Sequence, residues 1–224
     1  MKFLVPYKIS FLIILSKAEG QEFGLSLCRD SCWLKSSMTI KVQIENAMKS
    51  KRLVRFSRRY ENSIITGYVL AVGPKFFLLL LVSDRIWFDG FECFRIVDVS
   101  KFRPCQNVVF VEAALKKRKV RKPKKPKINV KGIEEILKSA AKLFPLLAIH
   151  QEKIDPEVCF IGRVADVKNG KIPLLEIGTD AKWEITPILY KLNNITRVSF
   201  GGDYEGALAL VGGEPANVDK RRQS

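Results

Sequence analysis

Nine cations stand within residues 115–127: Lys116, Lys117, Arg118, Lys119, Arg121, Lys122, Lys124, Lys125 and Lys127, with no acid among them. A lysine or arginine that meets a phosphate releases condensed counterions, so this run is chemistry for a polyanion. It contains no aromatic residue on which a base could stack, so the sequence predicts sequence-tolerant backbone contact; the alternative is a solvated spacer. A second basic group, Arg55, Arg58, Arg59 and Tyr60, closes the first predicted strand and has the residue types that hold a phosphate backbone. Charges at a strand end also discourage edge-to-edge aggregation, which is the competing account of that group.

Catalytic chemistry finds little support. His150 is the single histidine of the chain and falls in an apolar run, where a half-buried packing role is expected. Cys93 and Cys159 sit inside strand patterns, so burial explains them better than reactivity. Cys28 and Cys32 form a C-x3-C pair without a second pair or a nearby histidine to complete a zinc site. With Cys105 the cysteines number five, scattered and odd, which points to reduced thiols in the cytoplasm. Asp89, Asp98, Asp155 and Asp180 occupy turn or strand-end positions where aspartate serves the backbone. Gly201-Gly202 lacks the strand–helix spacing of a phosphate loop. The expectation is a protein that is not an enzyme and that uses neither cofactor nor metal.

The elements that would carry the cations are readable from periodicity. In 224 residues with 47% apolar content there is room for one or two packed domains. The formal charge of +16 is concentrated in residues 115–127, so it belongs to a connecting segment more than to a domain face. Ile40, Ile44, Ala47 and Met48 mark a helix from Thr39 to Lys49, with Thr39 as its N-cap. Strands are predicted at Leu53–Phe56, Ile64–Val72, Phe76–Val82, Phe91–Val97 and Val108–Val111, with a hairpin turn at Asp89-Gly90. From Leu115 the pattern stops, and lysines with two prolines predict an extended, unpacked linker.

The pattern then returns. Ile133, Ile136, Leu137, Ala140, Ala141 and Phe144 predict a second amphipathic helix, ended by Pro145. Leu146–His150, Cys159–Val167 and Ile172–Ile177 follow as strands, with Asn169-Gly170 as a turn. Gly67, Val69 and Val72 match Gly162, Val164 and Val167 at a constant offset of 95, and Val99-Ser100-Lys101 is matched by Ile195-Thr196-Arg197. This self-similarity predicts a duplicated module. Tyr204–Leu210 predicts one short helical turn. The expected fold class is mainly β with short helices: two tandem small five-stranded open barrels, each preceded by a short helix. The divisions are residues 1–37, 38–114, the basic linker 115–130, 131–212 and a tail 213–224. Met1 to Ser16 resembles a signal peptide, but Lys8 breaks its apolar run, and translation from Met38 fits the pattern better. The run is too short to span a bilayer.

Gly67, Val69, Phe77, Leu79 and Leu80 resemble the first motif of the Sm-like barrel family, in the version of the bacterial Sm-type RNA chaperone. The resemblance covers some sixty residues in each half. It implies a helix on an open five-stranded barrel, ring assembly, and RNA held by loops near the strand tips. Gly73, Pro74 and Lys75 depart from the polar residues that many members carry there, and the second RNA-binding motif is matched only by Phe94-Arg95. The sequence therefore predicts a non-enzymatic nucleic-acid-binding protein, RNA ahead of DNA, with no membrane span and with self-association left open. The alternative is an adaptor whose barrels bind a partner peptide or protein.

Overall fold

The computed structural model describes residues 38–165, 167 and 170–215. The readings of residues 1–37, the Cys28–Cys32 pair among them, lie outside the described residues, as do Asn169 and the end of the tail. The described residues are mainly β, and every strand among them belongs to one ten-stranded antiparallel sheet.

Helix α1 spans Ile40–Ser50, and the Thr39 side chain accepts a hydrogen bond from the Val42 amide at 3.5 Å, the expected N-cap. Five strands follow: β1 Leu53–Arg58, β2 Glu61–Val72, β3 Phe76–Val82, β4 Phe88–Arg95 and β5 Val99–Pro104. Helix α2, Val108–Lys117, and helix α3, Ile133–Ala141, precede β6 Leu147–His150, β7 Cys159–Val164, β8 Lys171–Glu176, β9 Ile188–Lys191 and β10 Arg197–Phe200. Helix α4, Asp203–Gly212, is last. The sheet order is β5-β1-β2-β3-β4-β10-β6-β7-β8-β9. Written by halves it is the same order twice, each half flanking its first strand with its fifth. The halves meet where β4 pairs with β10, in the register Arg197 opposite Phe94 and Ser199 opposite Glu92.

The two matched glycines explain part of the sequence repeat. A Cβ on Gly67 would lie 2.4 Å from the Leu80 carbonyl oxygen, and one on Gly162 would lie 2.1 Å from that of Leu175. At both positions the neighbouring backbone passes too closely for any side chain.

Alternation along the strands separates three cores. Ile44 and Ala47 of α1 cover Val54, Phe56, Val69, Phe77, Leu79 and Phe94 on one face of the first half. On the opposite face Tyr68, Leu78, Leu80 and Cys93 join a second core, shared with α2, α3 and the sheet of the second half. Leu208 of α4 covers Leu146, Ala148 and Ile161 on the far side of that half.

Four expectations need correction. Val108–Val111 is helical, because Val108, Val111 and Leu115 line one helical face on the core while Val109 and Phe110 look outward. Asp89-Gly90 lies inside β4, and the β3–β4 turn is Ser83–Trp87, closed by the Ser83 amide on the Trp87 carbonyl at 2.9 Å. Gly90, at φ +72°, instead lets β4 meet the backbone of Gly201 and Gly202, and Asp89 accepts from the amide of Asp203 at the start of α4 (3.0 Å). The single turn expected at Tyr204–Leu210 is a helix of ten residues. The basic segment is not an unpacked linker: its first residues belong to α2, and its apolar residues join the shared core.

Candidate nucleic-acid interface

Leu115 is buried at the end of α2, and Arg118 and Lys119 then terminate the helix. Lys119 takes the left-handed conformation, φ +57°, and the Val120 amide returns to the Leu115 carbonyl at 3.0 Å. This is a Schellman stop, with the accompanying apolar contact supplied by Leu115 and Val120 on the core. Farther along, Ile128 is buried and Val130 packs beside it, and the Asn129 amide donates to Ser139 of α3 at 3.0 Å. The arm is therefore pinned at Leu115, Val120, Ile128 and Val130. Between the pins Lys116, Lys117, Arg118, Lys119, Arg121, Lys122, Lys124, Lys125 and Lys127 are all solvent-exposed. Arg118 donates to the Arg85 carbonyl at 2.6 Å, and Lys122 Nζ lies 3.5 Å from the centre of the Tyr68 ring. The Lys122 ammonium is pushed down by its partial burial, against an opposing pull from Glu112.

The cluster expected around the first strand is not one patch. Arg55 shares the face of Leu53, which is the face the arm crosses, and stands opposite Arg103 of β5. Lys101, two residues from Arg103, lies on that same side, so Arg55, Lys101 and Arg103 form a basic strip at the sheet margin. Sequence reading missed Lys101 and Arg103, though their alternation with buried Phe102 carries the signal. Arg59 is exposed and donates to the Val97 carbonyl at 2.6 Å; Tyr60, half-buried, donates to Asp98 at 3.4 Å. Arg58 leaves the candidate set. It continues the inward alternation of Val54 and Phe56, its side chain is fully buried, and it makes a two-pronged pair with Glu152, Nη1 to Oε1 at 2.7 Å.

That pair belongs to a polar network across the β4–β10 seam. Glu152 also accepts from Thr196 at 2.7 Å, Arg197 lies 3.3 Å from Glu152, and Ser199 donates to Glu92 at 3.1 Å. Burial would raise the Glu152 carboxyl, but its hydrogen bond from Arg58, with the charges of Arg197 and Arg58, holds it below the usual range. Burial dominates at Glu92 and pushes its carboxyl up, with Arg197 opposing.

His150 and Ser199 are 3.3 Å apart in this network, a spacing that invites comparison with a serine nucleophile and its base. The proton order runs the other way. Arg197 can only donate, so at 3.0 Å it makes His150 Nδ1 an acceptor. The neutral ring then carries its proton on Nε2 and donates to Ser199, which donates to Glu92. Burial first, then Arg197 and Arg58, lower the His150 pKa well below its ordinary value, which keeps the ring neutral. Both residues are buried under the seam. Burial also raises the thiols of Cys93 and Cys159, the latter to about 11, which disfavours thiolate. Cys93, Cys105 and Cys159 are free and buried.

Among the described residues no three His, Cys, Asp or Glu side chains gather as a metal site, and no helix is long and apolar enough to cross a membrane. Comparison with protein-family models, curated proteins and solved structures finds no match for this chain.

Proposed function

We propose that the protein is a non-enzymatic nucleic-acid-binding protein, RNA ahead of DNA, built from two tandem Sm-like five-stranded barrels joined by a basic arm. The observation that carries the reading is the arm's division of labour. Its apolar residues are anchored on the sheet while its nine cations face solvent. A charge run that served only as a spacer would have no need of those anchors. Fixing the cations in place lowers the ordering cost of binding a polyanion. The barrel reading is supported by the repeated strand order and by the paired close-approach glycines. The strip of Arg55, Lys101 and Arg103 extends the positive surface on the same side.

The test is RNA binding by the full chain at two salt concentrations, beside a variant with all nine arm cations replaced by glutamine. If most of them meet phosphates, log affinity falls against log salt with a slope approaching about −6 on a single strand. The variant should lose both the affinity and the slope. Equal, salt-insensitive binding by the two proteins would refute the arm as the interface.

One observation favours the adaptor reading. Strand β9 is a sheet edge with Ile188 and Leu189 exposed at 47% and 60%, a surface on which an added strand could pair.

A further inference from the structure

The arm contains no aromatic residue, but the fold brings one to it. Trp87 lies at the end of the β3–β4 turn, between Ile86 and Phe88, which both pack on the core. Trp87 does not join that core, and 47% of it remains exposed. Arg118 crosses to this turn from the end of α2, donating to the carbonyl oxygens of Arg85 and Ile86 at 2.6 and 3.4 Å. Its guanidinium carbon lies 5.7 Å from the centre of the Trp87 ring. Phe88 in turn packs on Tyr68, 6.4 Å between ring centres, and Tyr68 lies beneath Lys122. The stretch from Arg118 to Lys122 thus passes beside Trp87, with Arg85, Lys119 and Arg121 exposed; the acids nearby are Asp84 of the turn and Glu112 of α2, which accepts from Tyr68 at 3.0 Å.

We propose that Trp87 and Arg118 form a stacking site for an unpaired base, which makes the arm's ligand a single-stranded nucleic acid. This rests on the reading of the arm as a nucleic-acid interface. The physical argument is a comparison of two contacts. An exposed arginine over tryptophan is worth about 0.5–1 kcal/mol. A base stacked on an aromatic ring is worth about 1–3 kcal/mol, so a base displaces the guanidinium or completes a sandwich with it. Duplex bases are already stacked and offer the ring no face. The nearby cations hold the flanking phosphates.

The experiment compares a labelled 20-nucleotide RNA with its own duplex, binding the full chain, Trp87→Ala, Trp87→Phe and the arm-neutralised variant. Trp87→Ala is expected to weaken single-strand binding by about 5- to 150-fold. It should change duplex binding less than twofold and leave the salt slope as it was. Trp87→Phe should recover most of the loss, which a merely structural tryptophan would not require. A change below twofold on the single strand, or an equal loss on the duplex, overturns the stacking site. In that case the arm reading still stands if neutralisation abolishes binding. If the unaltered chain binds neither RNA, both readings fall together.

Discussion

Glu152→Leu should destabilise the protein by about 3–4 kcal/mol at neutral pH. The Arg58 side chain is fully buried and that of Glu152 is 2% exposed, so removing the carboxylate strands a charge in the interior. Breaking one side of a buried pair costs about 3–5 kcal/mol. The lower part of that range applies because two relief routes remain. Glu61 lies 3.4 Å from Arg58, and Arg197, 16% exposed, can turn partly toward water. For a chain of this size the loss corresponds to about 6–16 °C in Tm. Arg58→Met with Glu152→Leu removes both charges and keeps apolar contact with Phe94, whose ring now lies 4.9 Å from the Arg58 guanidinium. That double variant should recover at least about half of the loss, a non-additivity expected of directly coupled residues. Urea unfolding followed by circular dichroism at pH 7, fitted for both midpoint and slope, gives the four free energies of the unaltered chain, the two single variants and the double. A loss below about 1 kcal/mol for Glu152→Leu, or strict additivity in the double variant, would refute the account of the seam.

Other outcomes are as definite. The folded chain holds His150 neutral while the unfolded chain protonates it near its ordinary 6.5, so the unfolded state binds the extra proton and stability should fall as pH drops below 6.5. The lowered Glu152 carboxyl acts in the same direction at more acidic pH, and His150→Asn should flatten the profile between about pH 5 and 6.5 in urea titrations. Gly162→Ala and Gly67→Ala should each cost about 2–4 kcal/mol, because the added carbon meets backbone oxygen. Gly170→Ala, with open space but φ +68°, should cost only about 1–2 kcal/mol by thermal melting. If strand addition at β9 joins two copies of the chain, the unaltered protein should sediment in a concentration-dependent way and Leu189→Lys should abolish that dependence, since a lysine on an open edge opposes strand addition; unchanged sedimentation would show that β9 is not a sticky edge.

Much of the fold could be read from local pattern where local pattern decides. The α1 periodicity and its Thr39 cap, the uninterrupted apolar run of β3, and the offset of 95 between matched glycines all correspond to elements in place. Reading failed where tertiary contact overrules propensity. The β-branched run at Val108 looks like a strand, yet only a helix puts Val108 and Val111, three residues apart, on the shared core together. Strand β9 escaped notice because it is four residues long, follows Pro187, and buries Tyr190 alone. The candidate site was legible as charge but not as place. Nothing in the composition of residues 115–127 announces that Val120 and Ile128 anchor it. Arg58 looked like its basic neighbours although it continues the inward alternation of Val54 and Phe56, and the partner that makes its burial tolerable, Glu152, stands ninety-four residues away. Trp87 and Arg118 become neighbours only through the packing of α2.

Joining two matched halves in one chain also changes what the seam must accomplish. A tether of this length holds β4 and β10 at an effective concentration on the order of millimolar, far above that of two free subunits in a cell. The contact between them therefore needs little intrinsic affinity. It needs discrimination, and a ring of paired charges around Arg58, Glu152 and Arg197 supplies register more readily than strength. Fixed one-to-one stoichiometry also frees each half from having to suit itself. Residues 38–114 carry a net +5 and residues 128–218 a net −2, a division that a self-assembling single module could not keep.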